Sequence, residues 1–128
     1  MRVLVLGGSG MLGHRLWLTL DARCDTYATV RRPLRQLQQL GLPGRDRVIT
    51  GVTTEDFETV VRALESVGPQ VVVNCIGIVK QAEAARDAVA SISVNALFPQ
   101  RLARQCRERG IRLIHISTDC VFSGRKGG

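Results

Sequence analysis

The stretch Met1-Arg2-Val3-Leu4-Val5-Leu6-Gly7-Gly8-Ser9-Gly10-Met11-Leu12-Gly13 decides the fold of this 128-residue chain. Val3 to Leu6 is an unbroken apolar run, as expected of a strand buried on both faces of a parallel sheet. Spaced glycines follow it directly, and Leu12, Leu16 and Leu20 then recur at the four-residue spacing of a helix. Strand, glycine turn and helix in that order form the context in which a Gly-x-x-Gly-x-x-Gly pattern signals dinucleotide binding. Gly7 lets the chain leave the strand in a tight turn, Gly10 lets a pyrophosphate approach bare main chain, and Gly13 lets the helix pack closely. The helix start offers unpaired N–H groups and the positive end of its dipole to phosphate oxygens. Met11 and Leu12 are expected to join Gly7, Gly10 and Gly13 as coenzyme contacts. Gly8-x-Gly10-x-x-Gly13 fits a second common register, so the glycines alone do not separate dehydrogenase subclasses.

Working outward, Thr26–Val30 is a second strand candidate, rich in β-branched and aromatic residues. Leu34, Leu37 and Leu40 suggest a short helix that stops at Gly41 and Pro43, and Arg47–Val52 a third strand. Thr53-x-x-Asp56 resembles a capping box ahead of the apolar stripe Phe57, Val60, Val61, Leu64 and Val67, which Gly68-Pro69 ends. Val71–Ile76 reads as a fourth strand, Gln81–Ala90 and Ser93–Arg109 as helices, and Ile111–Ser117 as a fifth strand. This alternation requires parallel pairing with right-handed crossovers: an α/β, doubly wound parallel sheet (Rossmann fold) of about five strands, in one domain spanning residues 1–128. The tail Ser123–Gly128 reads as a flexible end.

Composition narrows the function. No apolar run approaches the length of a membrane span, and no signal peptide is visible, so a cytoplasmic protein without membrane contact is expected. Cys24, Cys75, Cys106 and Cys120 lie far apart without a Cys-x-x-Cys pair, which suggests neither a disulfide framework nor a metal site. The formal charge of +7 invites nucleic acid. Against that partner, the cations are scattered over every helix and there is no aromatic stacking platform. A positive field that draws in anionic nucleotides is the better use of the charge.

In a doubly wound sheet ligands gather at the carboxyl ends of the strands, near the switch in strand order. Arg31 and Arg32 follow the second strand, where an NAD-selective site carries a carboxylate and where arginine suits a 2′-phosphate. Asp25 sits at the wrong end of that strand to serve. NADP(H) is therefore favoured over NAD(H), the plain alternative being a solvated arginine turn. Asn74-Cys75-Ile76-Gly77 ends the fourth strand with a small residue against which a coenzyme can lie, so Cys75, Ile76 and Gly77 are expected contacts. Cys75 itself reads as an unreactive core residue, His14 as a helix-surface residue and His115 as an ordinary strand residue.

The segment Ile114-His115-Ile116-Ser117-Thr118-Asp119-Cys120-Val121-Phe122-Ser123-Gly124 is the second strong signal. Together with the glycine loop, Asn74-Cys75-Ile76-Gly77-Ile78-Val79-Lys80-Gln81 and Val94-Asn95-Ala96, it resembles the extended short-chain dehydrogenase/reductase family. Within that family it is most similar to the dTDP-4-dehydrorhamnose reductase branch, and the resemblance runs from Met1 to about Gly124. It implies a reductase of a nucleotide-linked 4-keto-sugar. It implies further that Thr118 hydrogen-bonds the reacting oxygen, with Ser117 as the neighbouring alternative, and that Asn95 supports the coenzyme site. A hydroxyl at the carboxyl end of a strand can both donate to and accept from such an oxygen. Asp119 is expected in a turn.

The chain departs from the family in lacking a Tyr-x-x-x-Lys pair: its single tyrosine is Tyr27, and Lys126 has no tyrosine four residues before it. In relatives that tyrosine follows the Thr118 position at a distance that would place it beyond Gly128. The amino-terminal part of a longer reductase is the economical expectation, inactive alone for want of a proton donor, an omission worth about 10²–10⁴ in rate. A non-catalytic dinucleotide-binding regulatory or sensor module and a nucleotide-sugar epimerase or dehydratase are the competing readings. An unpaired fifth strand, or the exposed helices, would favour self-association.

Overall fold

A computed structural model of the chain describes residues 1–33, 45–79 and 87–117. Strands β1 (Arg2–Leu6), β2 (Asp25–Val30), β3 (Val48–Thr50), β4 (Val71–Asn74) and β5 (Arg112–His115) form one sheet in the order β3-β2-β1-β4-β5. Every pairing is parallel. Helices α1 (Met11–Asp21) and α2 (Phe57–Val67) follow β1 and β3, while α3 (Ala88–Ile92), a π-helical turn (Ser93–Leu97) and α4 (Phe98–Glu108) lie between β4 and β5. The chain runs β1 to β2 to β3 in one direction and then crosses to β4 on the other side of β1. The switch point therefore lies where β1 and β4 end, as the doubly wound reading requires.

The apolar run of β1 is explained by burial on two faces. Val3 and Val5 pack with Trp17 of α1, Ala28 and Val73, while Leu4 and Leu6 face a larger cluster built from Phe57, Val60 and Leu64 of α2 and Phe98, Leu102 and Cys106 of α4. Each fully buried side chain of this size stabilises the fold by about 1.5–3 kcal/mol, which fixes the register of the central strands. Gly68 ends α2 in the left-handed conformation (φ 55°), its N–H donating to the Leu64 carbonyl at 2.9 Å.

Several boundaries differ from the sequence reading. Asp56, not Thr53, caps α2: its carboxylate accepts from the Glu58 N–H at 3.2 Å, while the Thr53 hydroxyl accepts from the Asp56 N–H at 3.1 Å. β3 is only three residues long: a 3₁₀ turn (Arg45–Arg47) takes its expected first residue, and the strand stops at Thr50, two residues short of Val52. The Ser93–Arg109 helix opens instead with the π-helical turn, in which the Phe98 N–H reaches back to the Ser93 carbonyl. Pro99 gives the reason, since it has no N–H to bond the Asn95 carbonyl and its ring crowds that carbonyl in an α-helix. β4 and β5 also stop earlier than expected, at Asn74 and His115. The helix expected around Leu34, Leu37 and Leu40, the first part of the Gln81–Ala90 helix, and everything from Thr118 onward, with Asp119 and Cys120, lie outside the described residues.

No helix among the described residues is long and apolar enough to cross a membrane. Among the same residues, no group of three or more His, Cys, Asp or Glu side chains is gathered as a metal site.

Candidate functional site

The glycine turn is built from main chain. Gly7 adopts φ 84°, a conformation that side chains resist, and its carbonyl accepts from the Gly10 N–H at 2.9 Å. Thr29, buried in β2, clamps the turn. Its hydroxyl accepts from the Gly7 N–H at 3.3 Å and its carbonyl from the Gly8 N–H at 2.8 Å. Gly10 then caps α1 in an extended conformation, with no side-chain cap and no acidic residue in the first turn. The first N–H groups of α1 have no partner four residues back, so this terminus presents donors and a positive dipole.

Each glycine faces different surroundings. A side chain at residue 13 would collide with the Gly7 carbonyl, so α1 sits directly on the turn. A Cβ at residue 8 would lie 2.8 Å from the Ala28 Cβ, a close packing of turn on β2 that the sequence pattern did not single out. A Cβ at residue 10 would meet only the Gly7 carbonyl, at 3.3 Å, and otherwise point into open space. Only the last of these leaves room for a ligand, and a side chain there would fill it. The exposure of Met11 (93%) and Leu12 (48%) beside it shows the same opening.

The end of β4 closes on this turn. The Cys75 N–H donates to the Leu6 carbonyl at 3.0 Å, and Ile76 packs against Gly7, where a Cβ would lie 3.1 Å from its Cγ1. Asn95, in the π-helical turn, grips Ile78 at both ends: its Oδ1 accepts from the Ile78 N–H at 2.8 Å and its Nδ2 donates to the Ile78 carbonyl at 2.9 Å. A Cβ on Gly77 would come within 3.5 Å of the Asn95 Oδ1. Gly7, Gly10, Gly13, Met11, Leu12, Cys75, Ile76, Gly77 and Asn95 thus share the carboxyl edge around the switch point. Burial raises the Cys75 thiol above its ordinary pKa and keeps it in the unreactive form.

Arg31 and Arg32 stand exposed at the end of β2, on the same edge of the sheet. Asp25 is at the opposite edge, where it pairs with Arg2 at 3.0 Å. Tyr27 lies within β2 in register with Leu4, with the Arg2 guanidinium 5.9 Å from its ring centroid. It therefore offers no acid at the carboxyl edge. Ser117 is exposed just past β5, and Thr118 lies outside the described residues. His14 is not the plain helix-surface residue expected: it is half-buried, and its Nε2 is enclosed without a hydrogen-bond partner among the described residues. Thr29, which the sequence reading passed over, and Asn74, which it quoted only as part of a motif and gave no role, make the hydrogen bonds that hold this edge together. Their signal was only that of polar residues inside apolar strands.

Comparison with known proteins agrees with this geometry. The chain is 32% identical over 128 residues to a dTDP-4-keto-6-deoxy-D-glucose reductase of Streptomyces niveus, covering 96% of this chain and 37% of that protein. It is 32% identical over 126 residues to a dTDP-4-dehydrorhamnose reductase of Streptomyces griseus, covering 98% and 36%. The chain thus spans little more than a third of the curated relatives it matches. Among solved structures, a hypothetical dTDP-4-dehydrorhamnose reductase from Sulfolobus tokodaii superposes with a TM-score of 0.76 at 23% identity, covering all of this chain and 43% of that one. The Bacillus anthracis dTDP-4-dehydrorhamnose reductase in complex with NADP gives 0.72 at 22% identity, covering 98% and 39%. The Thermus thermophilus UDP-glucose 4-epimerase complex with NAD gives 0.68 at 28% identity, covering 88% and 36%. The family described as the RmlD substrate binding domain matches residues 1–128. The whole of this chain therefore belongs to the RmlD substrate binding domain family, on an extended short-chain dehydrogenase/reductase type of fold.

Proposed function

We propose that these 128 residues form the coenzyme-binding part of an NADP(H)-dependent reductase of a nucleotide-linked 4-keto-sugar. The observation that carries this reading is the Gly10 position, open on the side where a Cβ would point and set at the uncapped start of α1. A diphosphate fits there: the chain supplies bare main chain, unpaired N–H groups and a helix dipole, and no carboxylate in the first turn opposes it. When bound, the reduced nicotinamide supplies a hydride to a carbonyl carbon.

The chain's own residues bind and orient. Gly7, Gly10, Met11, Leu12 and Gly13 hold the diphosphate, and Arg31 and Arg32 receive the 2′-phosphate as paired cations. Cys75, Ile76, Gly77 and Asn95 form the floor for the nicotinamide half. Ser117, just past β5, or Thr118, the next residue in the sequence, supplies the hydroxyl that steadies the developing alkoxide. Relatives named as reductases of dTDP-linked 4-keto sugars support the substrate class, and a neighbour in complex with NADP supports the coenzyme.

The one tyrosine of the chain is held in β2, so no tyrosine of these residues can protonate the product oxygen. Coenzyme binding without turnover is accordingly the activity proposed for the 128 residues by themselves, which also keeps the sensor-module reading open. Titration with NADPH and NADH, followed by nicotinamide fluorescence, tests the proposal. Saturable binding with NADPH the tighter ligand supports it. NADH binding as tightly as NADPH overturns the assignment of Arg31 and Arg32, and binding of neither overturns the whole.

A further inference from the structure

Asn74 is fully buried at the end of β4, and its amide is used at both ends. One end accepts from the Ile76 N–H at 3.0 Å. A main-chain N–H can only donate, so the atom facing it must be Oδ1, and this fixes which way the amide points. Nδ2 therefore faces β5, where it lies 3.1 Å from Nδ1 of His115. An amide nitrogen can only donate, so Nδ1 of His115 must be the bare, accepting nitrogen and the proton of the neutral ring must sit on Nε2. Main-chain bonds hold the same junction, with the Ile116 N–H donating to the Asn74 carbonyl at 3.1 Å. Through Ile76, which packs on Gly7, the series His115, Asn74, Ile76, Gly7 spans from the end of β5 to the glycine turn.

From this connection we infer that Asn74 and His115 are a positioning pair for the nicotinamide half of the coenzyme site, an inference that rests on the coenzyme reading above. Asn74 sets the turn of the Cys75–Gly77 floor, and His115, held in one tautomer, ties that floor to the end of β5, two residues before Ser117. Neither residue needs to touch the coenzyme. A buried amide that loses one partner is left with an unsatisfied donor, and the strand ends it joined are free to part.

The test uses the full chain and two probes: NADPH, whose fluorescence reports the nicotinamide half, and 2′,5′-ADP, which occupies only the adenosine half. His115→Phe, which keeps a ring but no acceptor, and Asn74→Ala should each weaken NADPH by about tenfold while leaving 2′,5′-ADP within about twofold, the upper end of the loss expected for one part-buried hydrogen bond. His115→Asn, whose carbonyl can stand in for Nδ1, should recover most of the NADPH affinity. Long-range ¹H–¹⁵N spectra of the imidazoles should show His115 protonated at Nε2, and Asn74→Asp should move the proton to Nδ1. Because Asn74→Ala removes a buried partner, a failure of that variant to fold leaves His115→Phe and the wild-type tautomer to decide. Equal loss of NADPH and 2′,5′-ADP, unchanged NADPH affinity in His115→Phe, or a wild-type proton on Nδ1 overturns the positioning pair alone. A wild-type chain that binds neither probe overturns the coenzyme reading, and the pair's role with it.

Discussion

The main-chain carbonyl of Gly7 occupies the space that a side chain at residue 13 would need. Helix and turn are therefore in direct main-chain contact, and neither has a flexible side chain that could yield. Gly13→Ala should force α1 off the turn and cost about 1–3 kcal/mol, as overpacking does. Thermal unfolding followed by circular dichroism should show the lower Tm; an unchanged Tm would show that α1 is not seated this way.

Gly8 and Ala28 give a reciprocal test. A methyl at residue 8 would lie 2.8 Å from the Ala28 Cβ, with the Thr29 carbonyl at 3.3 Å. Gly8→Ala should destabilise, and Ala28→Gly in the same chain should recover part of the loss. A double-mutant cycle in urea should give a coupling of about 0.5–3 kcal/mol, the range for residues in contact. Simple additivity would contradict the packing of the turn on β2.

Arg31 and Arg32 are exposed, so their removal should spare the fold and change selectivity. Replacing both with Ala should weaken NADPH by about tenfold or more, because charge-assisted bonds to the 2′-phosphate are lost, and leave NADH nearly unchanged. Isothermal titration with each coenzyme reads both numbers. Equal losses for the two would mean that the arginines do not sense the 2′-phosphate.

Cys106, buried between α4 and the sheet, links stability to alkaline pH. Burial pushes its thiol from 9.0 up to about 11, with Arg109 acting weakly in the opposite direction. The folded state thus holds the thiol proton more tightly than the unfolded chain does. That contribution is complete below the unfolded value, and it is lost as pH rises through about 11. Urea unfolding at about pH 8 and about pH 10 should show a loss of stability that is smaller in Cys106→Ala, once each variant is compared with itself. An identical loss in both would assign the alkaline effect to other groups.

Ile114 in β5 is 40% and Ile116 just past it 41% exposed, and no strand among the described residues pairs with the outer edge of β5. Edge strands of this kind template association. The chain should elute from size exclusion at a concentration-dependent position, and Ile114→Lys should shift it toward the monomer. A clean monomer at every concentration would contradict this.

The order of elements, the parallel sheet and the glycine turn were legible in the sequence because each rests on a local pattern: the apolar run of β1, the stripe of α2, the spacing from Gly7 to Gly13. What escaped was set by neighbours distant in the chain. Gly8 matters because Ala28 lies under it, and Thr29 because the turn folds back over β2. Asn74 and His115 lie 41 residues apart and meet only when β4 and β5 pair. The start of the Ser93–Arg109 helix was misread for a local reason, since Pro99 removes the N–H that would have carried an α-helix through Asn95. β5 was read two residues too long, through Ser117, and Ile114 within it and Ile116 just past it are both exposed.

The most direct test of the account is a calorimetric titration of the chain with NADPH, run beside Gly10→Val. A Cβ at residue 10 meets only the Gly7 carbonyl, so this variant should keep its fold while its side chain fills the space meant for the diphosphate. The account predicts saturable heat for the wild type and none for a folded Gly10→Val. Equal affinity in the two, or no heat from a folded wild type, would contradict it.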